Sequence, residues 1–381
     1  MPNNNILIAA NYSNKTGYAW NNIYRLFDKI VAAFANENTS ICVTFAELSP
    51  PIEQVQKRPS VSFAEWDPMD SSLSNTLKLS KIIKQKNIGY LYFTDLRYID
   101  WRYAVFRLSG VKKIITHSRI SVADPQPAPY EGGVKGLIKY LAGRVKPICA
   151  DRVYAVSDFV RNRMLLKNRA PANKIIKILN GINLDAFTPS HPAPSDKLII
   201  FTCGRATEHK GIHILMDALH FLRPLIPEDA IEVRYAGDGP NISQFQEKVN
   251  GLDISNIFTF LGELPNTRDE VKNAHILVVP SIWGDACPSS VSESLASGKP
   301  LIATKAGGIP EIIGSEQNAI IVPPGNHFAL AIALLSLIKS PELRETLSVN
   351  ARARAEDTLD QINYHRIVID QLAVDFSLTP N

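Results

Sequence analysis

This chain lacks the sequence features that identify several large classes of protein. Its 381 residues contain only four cysteines, Cys42, Cys149, Cys203 and Cys287, with no C-x-x-C pair. We therefore predict reduced thiols rather than a disulfide framework or a zinc site. No run of about 18 apolar residues is present, which argues against a membrane-spanning helix. The start, Met1–Asn5, lacks the basic segment and the apolar core of a signal peptide. Together these absences predict a cytoplasmic protein.

Two common nucleotide-binding motifs are incomplete. The loop Asn14–Gly17 suggests a phosphate-binding loop, but the full G-x-x-x-x-G-K-[ST] pattern is missing, which disfavours a nucleoside triphosphatase. The turn Gly237–Pro240 begins like G-x-G-x-x-G, but Ile242 occupies the third glycine position, so a dinucleotide fingerprint is unsupported. There is no D-x-D sequence and no cluster of metal-ligating residues, and we predict neither a metal nor a cofactor.

The composition is that of a globular α/β protein. The chain is 45% hydrophobic and 20% charged, and its net charge of +4 is too mild to indicate nucleic-acid binding. A length of 381 residues suggests two domains. Apolar runs at Ile41–Phe45, Lys113–Thr116 and Leu301–Thr304 predict strands, and segments such as Leu73–Lys86 between them predict helices.

The most informative stretch begins at the apolar run Ile276–Val279, which predicts a buried parallel strand. A loop containing Asp285 follows, and Ser289 or Ser290 can cap the next helix. Glu293 lies about one turn into that helix. Two carboxylates therefore flank a helix N-terminus at the edge where open α/β sheets bind ligands. Because a helix N-terminus suits phosphate, this combination favours a ligand with hydroxyls and phosphates, such as a sugar nucleotide.

The same stretch resembles the signature of the retaining nucleotide-sugar glycosyltransferases of family 4 (group 1), which have the GT-B fold. That signature has two glutamates eight positions apart, followed by a Gly-Pro stop, a strand ending in Ala-Thr and Gly-Gly-x-x-Glu. Asp285 stands where the first glutamate is expected, and Glu293 matches the second. Gly307–Glu311 matches the final motif in full.

A second matching motif lies earlier in the chain. The segment Gly204–Gly211 is similar to the family's G-R-x-x-x-x-K-G, whose arginine and lysine hold the donor diphosphate. Here these are Arg205 and Lys210. The chemistry supports the role, because two fixed cations stabilise a diphosphate that gains negative charge as it leaves. Phe258–Gly262 is similar to an F-x-G segment whose following loop packs against the base.

The resemblance implies two Rossmann-like α/β/α domains that face a cleft. Residues 1–188 would form the acceptor-side domain, and residues 189–360 would bind the nucleotide-sugar after a linker at 191–195. Residues 361–381 would form a helix that crosses back to the N-terminal domain.

The resemblance also assigns roles to individual residues. Glu293 would bind the ribose hydroxyls, and Asp285 the sugar hydroxyls with help from backbone amides of Cys287–Ser289. The predicted catalytic residues are His117, Asp285, Arg205 and Lys210. The predicted substrate-binding residues are Gly17, Arg205, Lys210, Gly262, Asp285, Cys287, Pro288, Ser289 and Glu293.

Two of these residues lie in the N-terminal half and have simpler alternatives. His117 follows the predicted strand Lys113–Thr116, where a histidine can contact a sugar hydroxyl or act as a base. A structural histidine is the alternative. Gly17 matches a loop that is usually glycine-rich in the family, and the alternative is a helix-entry glycine. Asp95 is a weaker candidate for the acceptor side.

A basic segment suggests where the protein meets a membrane. Between Lys135 and Arg169 there are nine lysines or arginines and only two acids, Asp151 and Asp158. A helix predicted at Gly133–Pro147 has an apolar face, and such a helix can rest on anionic lipid at the inner face of a membrane. The alternative is an ordinary solvated helix.

The function implied is retaining transfer of a hexosyl unit from a UDP- or GDP-sugar, without a metal. The acceptor would be a glycan, a lipid-linked sugar or a small molecule, in polysaccharide or lipopolysaccharide biosynthesis. Two alternatives stay open: a nucleotide-sugar 2-epimerase of the same fold, and a catalytically silent protein that binds sugar nucleotides.

Overall fold

The computed structural model describes residues 4–10, 17–46, 59–119, 133–190, 197–227 and 229–381. Within them the chain forms two compact units. The first contains the described residues up to Leu179 together with Tyr364–Asn381, and the second contains those from Asn180 to Asn363. The sequence placed these boundaries at residues 188 and 360. The predicted linker at 191–195 and most of the predicted loop at 14–17 lie outside the described residues.

The first unit alternates strands and helices. Its elements are β1 (Asn5–Ala9), α1 (Gly17–Phe34), β2 (Ile41–Phe45), β3 (Val61–Glu65), α2 (Leu73–Gln85), β4 (Ile88–Thr94), α3 (Arg102–Leu108), β5 (Lys113–Ser118), α4 (Gly133–Ala142), β6 (Arg152–Ala155), α5 (Asp158–Leu166) and β7 (Ile175–Lys177). Over the described residues the strands form one parallel sheet in the order β3-β2-β1-β4-β5-β6-β7.

Burial explains which strands the sequence identified. Every residue of β2 and β4 is buried, as expected for parallel strands covered on both faces. The strand predicted at Ile41–Phe45 is observed with those bounds. The edge strand β3 was not predicted, because its residues are only partly buried and the apolar signal is correspondingly weak.

The second unit repeats the alternation. Its elements are β8 (Leu198–Cys203), α6 (Ile212–Leu222), β9 (Ile231–Ala236), α7 (Ile242–Gly251), β10 (Phe258–Gly262), α8 (Arg268–Asn273), β11 (Ile276–Val279), α9 (Ser289–Ala296), β12 (Leu301–Thr304), α10 (Ile309–Ile313), β13 (Ile320–Val322), α11 (His327–Lys339) and α12 (Pro341–Thr358). In the described part of this unit, six parallel strands form a sheet in the order β10-β9-β8-β11-β12-β13.

The last helix, α13 (Gln361–Phe376), contributes to the core of the first unit. Its residues Tyr364, Val368, Leu372 and Phe376 recur at four-residue steps and are buried in the cluster that contains β1 and α1. The apolar periodicity of the helix therefore reflects packing against the first sheet.

The helix predicted at Gly133–Pro147 is shorter in the structure. α4 ends at Ala142, and a separate short 3-10 turn begins at Lys146. The fully buried Tyr98 donates a hydrogen bond to the carbonyl of Gly143 at 2.7 Å. This bond engages the chain at the end of α4, and the Pro147 ring further on disfavours a continued helix.

Gly211 occupies a position that only glycine fits without strain, at the start of α6. Its φ is +70°, and an added Cβ would overlap the carbonyl oxygen of Pro280 in the loop after β11. We expect Gly211→Ala to lower the free energy of unfolding by about 3 kcal/mol or more, because left-handed strain and steric overlap add. Urea unfolding measures the change.

Gly325→Ala is the matched control. Gly325 has a similar φ of +73° but no atom within 4 Å of an added Cβ. It should cost only about 1 kcal/mol, from backbone strain alone. Equal losses in the two variants would contradict a close approach between Gly211 and Pro280.

Candidate active site

The strand order of the second sheet reverses between β8 and β11. From β8 the chain adds β9 and β10 on one side, and it then adds β11, β12 and β13 on the other. In open α/β sheets, ligands bind outside the carboxyl ends of the strands at such a reversal. The segment after β8 contains Arg205 and Lys210, and the segment after β11 contains Asp285. The topology therefore brings the two predicted motifs to one place.

Lys210 and Asp285 form a direct ion pair. The ammonium of Lys210 donates to both carboxylate oxygens of Asp285, at 2.8 and 2.9 Å. The hydroxyl of Ser281 donates to Oδ2 of Asp285 at 2.6 Å. Asp285 is only 3% exposed, whereas the Lys210 side chain is 24% exposed. Because a buried carboxylate loses its hydration, these three bonds offset that cost and fix the position of the ammonium.

The glycine pair after β12 supports the backbone of the same loop. Gly308 N donates to the carbonyl of Asp285 at 2.8 Å. Gly307 has a φ of +57°, and a Cβ there would overlap the backbone of Asp285. Thr304, at the end of β12, donates to the carbonyl of Ser281 at 2.5 Å. The Gly-Gly motif therefore allows a close approach between two loops, which positions Asp285.

Arg205 lies in the loop after β8, and its side chain is exposed. Tyr235 donates to the carbonyl of Gly204 at 2.8 Å, and the amide of Ala206 donates to the carbonyl of Asp238 at 2.8 Å. The strand β9 thus holds Gly204, and the turn after it holds Ala206, the two residues that flank Arg205. Unlike Lys210, the guanidinium of Arg205 is accessible to a ligand without breaking a buried ion pair.

Glu293 is buried beside the end of β8. It is 2% exposed, and Thr267 donates to its Oε2 at 2.9 Å. Burial raises the pKa of Glu293 above its ordinary value, while hydrogen bonds from Thr267 and Ser289 and the charge of Arg268 act in the opposite direction. Burial also raises the pKa of the Cys203 thiol; the charge of Glu293 raises it further, and the charge of Lys210 lowers it. Cys203 therefore lies in the field of both predicted ligand-binding residues.

The start of α9 differs from the predicted serine cap. The N-cap residue is Pro288, with φ −68° and ψ 128°, and no side chain caps the helix. Ser289 is the first helical residue and bonds to Glu293 instead. Cys287 and Pro288 are partly exposed and Ser289 is exposed. The positive end of the α9 dipole consequently lies in the segment that follows Asp285.

Three further residues shape this site, and no sequence motif indicated them. Ser281 orients Asp285, Thr267 holds Glu293, and Arg268 contributes charge near Glu293. Ser281 follows the strand β11 by two positions, and Thr267 is the N-cap of α8. A polar residue at a strand end or helix start is too common a pattern to have indicated these contacts.

Gly262 is at the end of β10 and lies apart from the ion pair. Its carbonyl accepts a hydrogen bond from Gly237 N at 2.8 Å, and the residue itself is exposed. β10 is an edge strand that β9 separates from β8. The described contacts do not join Gly262 to Lys210 or Asp285, and its predicted contact with the base stays a prediction.

Gly17 and His117, the two predicted site residues of the first unit, lie in different structural environments. Gly17 is the first residue of α1. His117 does not follow its strand, as the sequence suggested, but lies within β5, which extends to Ser118. The parallel strand pairing includes His117, which is opposite Thr94 of β4 on one side and Tyr154 of β6 on the other.

His117 is fully buried among aromatic rings. The hydroxyl of Tyr92 lies 2.6 Å from its Nδ1, and the ring of Tyr154 packs against it edge to face. Burial lowers the pKa of His117 well below its ordinary value, and the charge of Arg119 lowers it further. The imidazole is therefore neutral at physiological pH. Its Nε2 has no hydrogen-bond partner among the residues that the structure describes.

Within the described ranges, no group of three or more His, Cys, Asp or Glu side chains is arranged to hold a metal ion. The cationic side chains of Lys210 and Arg205 are the groups that can meet an anionic ligand at the reversal point.

Comparison with known proteins identifies relatives of this chain. Residues 185–354 match the profile of the family Glycosyl transferases group 1. The putative colanic acid biosynthesis glycosyltransferase WcaL of Escherichia coli K12 is 28% identical over 223 residues, which cover 55% of this chain and 53% of that protein. The chain thus spans about half the length of the curated relatives it matches.

Solved structures match nearly the whole chain. A glycosyltransferase from Rickettsia africae superimposes with a TM-score of 0.77 at 20% identity, over 97% of this chain and 98% of that one. HepE from Anabaena, in complex with UDP-glucose, gives a TM-score of 0.74 at 17% identity, over 97% and 99%. The predicted GT-B fold class, with two parallel α/β sheets, is confirmed. The predicted resemblance to group 1 is also confirmed, over a segment that contains Lys210, Asp285 and Glu293.

The raised pKa of Glu293 predicts a pH-dependent stability. Because Glu293 binds its proton more tightly in the folded chain, its stabilising contribution is full below its ordinary pKa of 4.5 and is lost as the pH rises through the folded value. Glutamine stays neutral throughout. We expect wild type to lose free energy of unfolding relative to Glu293→Gln as the pH rises from about 4 to 7, measured by urea unfolding.

Glu345→Gln, at an exposed position of α12, is the matched control and should follow wild type. A constant difference between Glu293→Gln and wild type at every pH would show that burial does not govern this carboxyl group.

Proposed function

We propose that this chain, whose residues 185–354 belong to the glycosyl transferases of group 1, transfers a hexosyl unit from a nucleotide-sugar with retention of the anomeric configuration, as in family 4. The observation that carries the proposal is the meeting of Lys210, Asp285 and Glu293 at the strand reversal of the second sheet. A cation suited to diphosphate and two carboxylates suited to hydroxyls surround the edge where such sheets bind nucleotides.

The proposed donor is a UDP- or GDP-sugar. Glu293 would accept hydrogen bonds from the ribose hydroxyls, which would replace part of the hydration that its buried carboxylate has lost. Of these two, the complex of Anabaena HepE with UDP-glucose favours a UDP-sugar. We also propose that the loop after Gly262 packs against the base.

Arg205 and Lys210 would stabilise the leaving nucleoside diphosphate. As the glycosidic bond breaks, negative charge grows on the diphosphate, and fixed cations then bind the transition state more tightly than the ground state. The ion pair with Asp285 supports this role for Lys210, because it positions the ammonium before the substrate arrives. The guanidinium of Arg205, which is exposed to solvent in the structure, would bind the diphosphate.

Asp285 would orient the transferred sugar while it also holds Lys210. Its carboxylate accepts hydrogen bonds from Lys210 and Ser281, which supports a positioning role rather than that of a nucleophile.

In the proposed mechanism the acceptor hydroxyl attacks on the face of the leaving group, and the departing phosphate takes its proton. The backbone amides of Cys287–Ser289 at the start of α9 would assist, and no metal would be needed.

We also propose that His117 contacts the transferred sugar. A buried neutral imidazole has a lone pair or an N–H at Nε2, which suits a hydrogen bond with a sugar hydroxyl better than it suits a cationic role.

The proposed acceptor is a glycan, a lipid-linked sugar or a small molecule. The relative WcaL is named for colanic acid biosynthesis, which supports a place in polysaccharide or lipopolysaccharide assembly.

We also propose that α4 contacts the surface of an anionic membrane. Its residues Val134, Leu137, Ile138 and Leu141, here called the apolar stripe, are between 56% and 74% exposed. At 100° per residue they share one side of the helix, roughly opposite Gly136, which is its buried residue. Among the helices that the structure describes, none is long and apolar enough to cross a membrane. An apolar stripe in a segment with nine cations and two acids fits peripheral binding.

A donor assay tests the proposed function. The full chain should turn over a UDP- or GDP-hexose, with a glycosylated product that appears only when an acceptor is added. Charge-assisted hydrogen bonds are worth about 1.5–3 kcal/mol, so Arg205→Ala should weaken nucleoside-diphosphate binding about tenfold or more in calorimetry. Arg366→Ala, which removes an exposed arginine of α13, is the matched control and should bind as wild type does.

Each alternative activity has its own readout in this assay. Conversion of the donor to its 2-epimer without an acceptor would identify an epimerase, and tight binding with no turnover of any donor would identify a silent binding protein. Unchanged affinity in Arg205→Ala would remove that residue from the diphosphate site.

Vesicle flotation tests the membrane contact. Wild type should float with anionic vesicles, less with neutral ones, and less again at high salt, because screening weakens the attraction of the basic segment. Replacing Leu137 and Leu141 together by glutamine should reduce flotation severalfold. The matched control replaces Leu73 of α2 and Leu108 of α3, which are both exposed. Equal flotation with both vesicle types would contradict the proposal.

A further inference from the structure

His209 lies between the two cations of the proposed diphosphate site. It is the middle residue of a single 3-10 turn, Glu208–Lys210, in the segment that connects β8 to α6. Lys210 follows it directly, and Arg205 precedes it by four positions. The motif G-R-x-x-x-x-K-G specifies no residue at this position, so the motif gives His209 no role.

Contacts with the loop after β11 hold His209 in place. The amide of Ile282 donates to the carbonyl of His209 at 2.8 Å. The imidazole is stacked on the indole of Trp283, with ring centroids 6.3 Å apart and an angle of 15° between the rings. Both side chains are only partly exposed. The same loop continues to Asp285, which binds Lys210, so His209 lies where the two loops of the donor site meet.

The indole of Trp283 can hold the imidazole in either protonation state. Stacking requires no proton on the histidine, because it depends on contact between the rings and not on a charged hydrogen bond. When an imidazole is protonated, the π face of an aromatic ring attracts its positive charge. A carboxylate in the place of the indole would instead favour the charged imidazole at all times. The stacking therefore positions the ring and leaves its charge to be set by other groups.

Burial and three charged side chains determine the pKa of His209. Burial lowers the pKa of the imidazole below its ordinary value of 6.5, and the charges of Lys210 and Arg205 lower it further. The charge of Asp285 acts in the opposite direction. The neighbouring Glu208 is exposed to solvent, which screens its charge. The imidazole is therefore largely neutral at pH 7 when no anion lies against the two cations.

A bound diphosphate would reverse the effect of the two cations on His209. Its negative charges would offset those of Arg205 and Lys210, which are the charges that oppose protonation of the imidazole. Binding of the diphosphate and binding of a proton to His209 therefore favour each other. By thermodynamic linkage, the proton strengthens diphosphate binding by the same factor as the diphosphate strengthens proton binding.

We infer that His209 is a third cation of the donor site, neutral when the site is empty and charged when the diphosphate is bound. The inference rests on the proposed function, because it takes Arg205 and Lys210 as the residues that hold the diphosphate. A neutral imidazole avoids repulsion among three cations in the empty site. The imidazolium formed on binding then adds to the stabilisation of the leaving nucleoside diphosphate.

Calorimetry on the full chain tests the inference, with UDP-glucose and GDP-mannose as probes. Both phosphates of a nucleotide-sugar are diesters and lack the second ionisation that a terminal phosphate has at about pH 6, so protons taken up on binding go to the protein. Titrations in buffers of different ionisation enthalpy count these protons. We expect wild type to take up more protons than His209→Gln when the probe binds at about pH 7.

The affinities should depend on pH in the same sense. A coupling of one pKa unit is worth up to about tenfold in affinity, so the affinity of wild type relative to His209→Gln should rise about threefold or more between about pH 8 and about pH 6. Burial raises the pKa of Glu293, which therefore loses its charge as the pH falls and weakens ribose binding. The ratio at each pH isolates the histidine, because both proteins contain Glu293.

Two further variants distinguish charge from structure. His209→Arg has a planar side chain that can stack on Trp283 and is charged at every pH. It should bind the probe more tightly than His209→Gln at about pH 8, without the additional proton uptake of wild type. His220→Gln is the matched control on α6, where the imidazole lies 2.9 Å from the carbonyl oxygen of Leu252, and it should follow wild type.

Two results would overturn the inference. They are equal proton uptake by wild type and His209→Gln, and a ratio of their affinities that stays constant with pH, which would give His209 a structural role only. Absence of binding of either probe to wild type at every pH would remove the proposed function and this inference with it. Binding without a pH effect that depends on His209 would remove the inference alone.

Discussion

The candidate site depends on one buried ion pair, between Lys210 and Asp285. The two residues come from segments that follow β8 and β11, the strands between which the sheet order reverses. A buried ion pair repays its desolvation only when its remaining groups are hydrogen-bonded. Ser281 donates to the carboxylate, and Gly308 donates to the carbonyl of the same aspartate. Loss of either partner would leave an uncompensated charge, so this pair fixes the loops around the site as well as its charges.

The aspartate gives the site a geometry that a glutamate would change. The side chain of aspartate is one methylene shorter, which reduces its reach by about 1.5 Å on the carbon-carbon scale. In the structure that shorter carboxylate meets Lys210, and the turn at Gly307 approaches the backbone of Asp285 closely. The position of the sugar-side carboxylate is thus set jointly by the ammonium and by the glycine turn. Glu293 is held separately, by Thr267, so the two carboxylates have independent supports.

The two units offer different chemistry to their ligands. In the second unit the charges are paired: Lys210 with Asp285, and Glu293 within the field of Arg268. Such a network binds a ligand that is itself polar throughout, as a nucleotide-sugar is. In the first unit, by contrast, the helix α4 exposes the apolar stripe.

The sequence by itself determined the fold class, the strands Ile41–Phe45, Ile276–Val279 and Leu301–Thr304, and the segments that carry Lys210 and Asp285. Buried parallel strands are continuous apolar runs, and glycine-rich turns leave a clear pattern, so both are readable locally. Tertiary structure alone decided which partners these residues have. Periodicity gave no sign that Asp285 would hold Lys210, and it placed His117 after a strand that in fact extends through it. Such contacts join residues far apart in the chain, and only the packing of the strands brings them together.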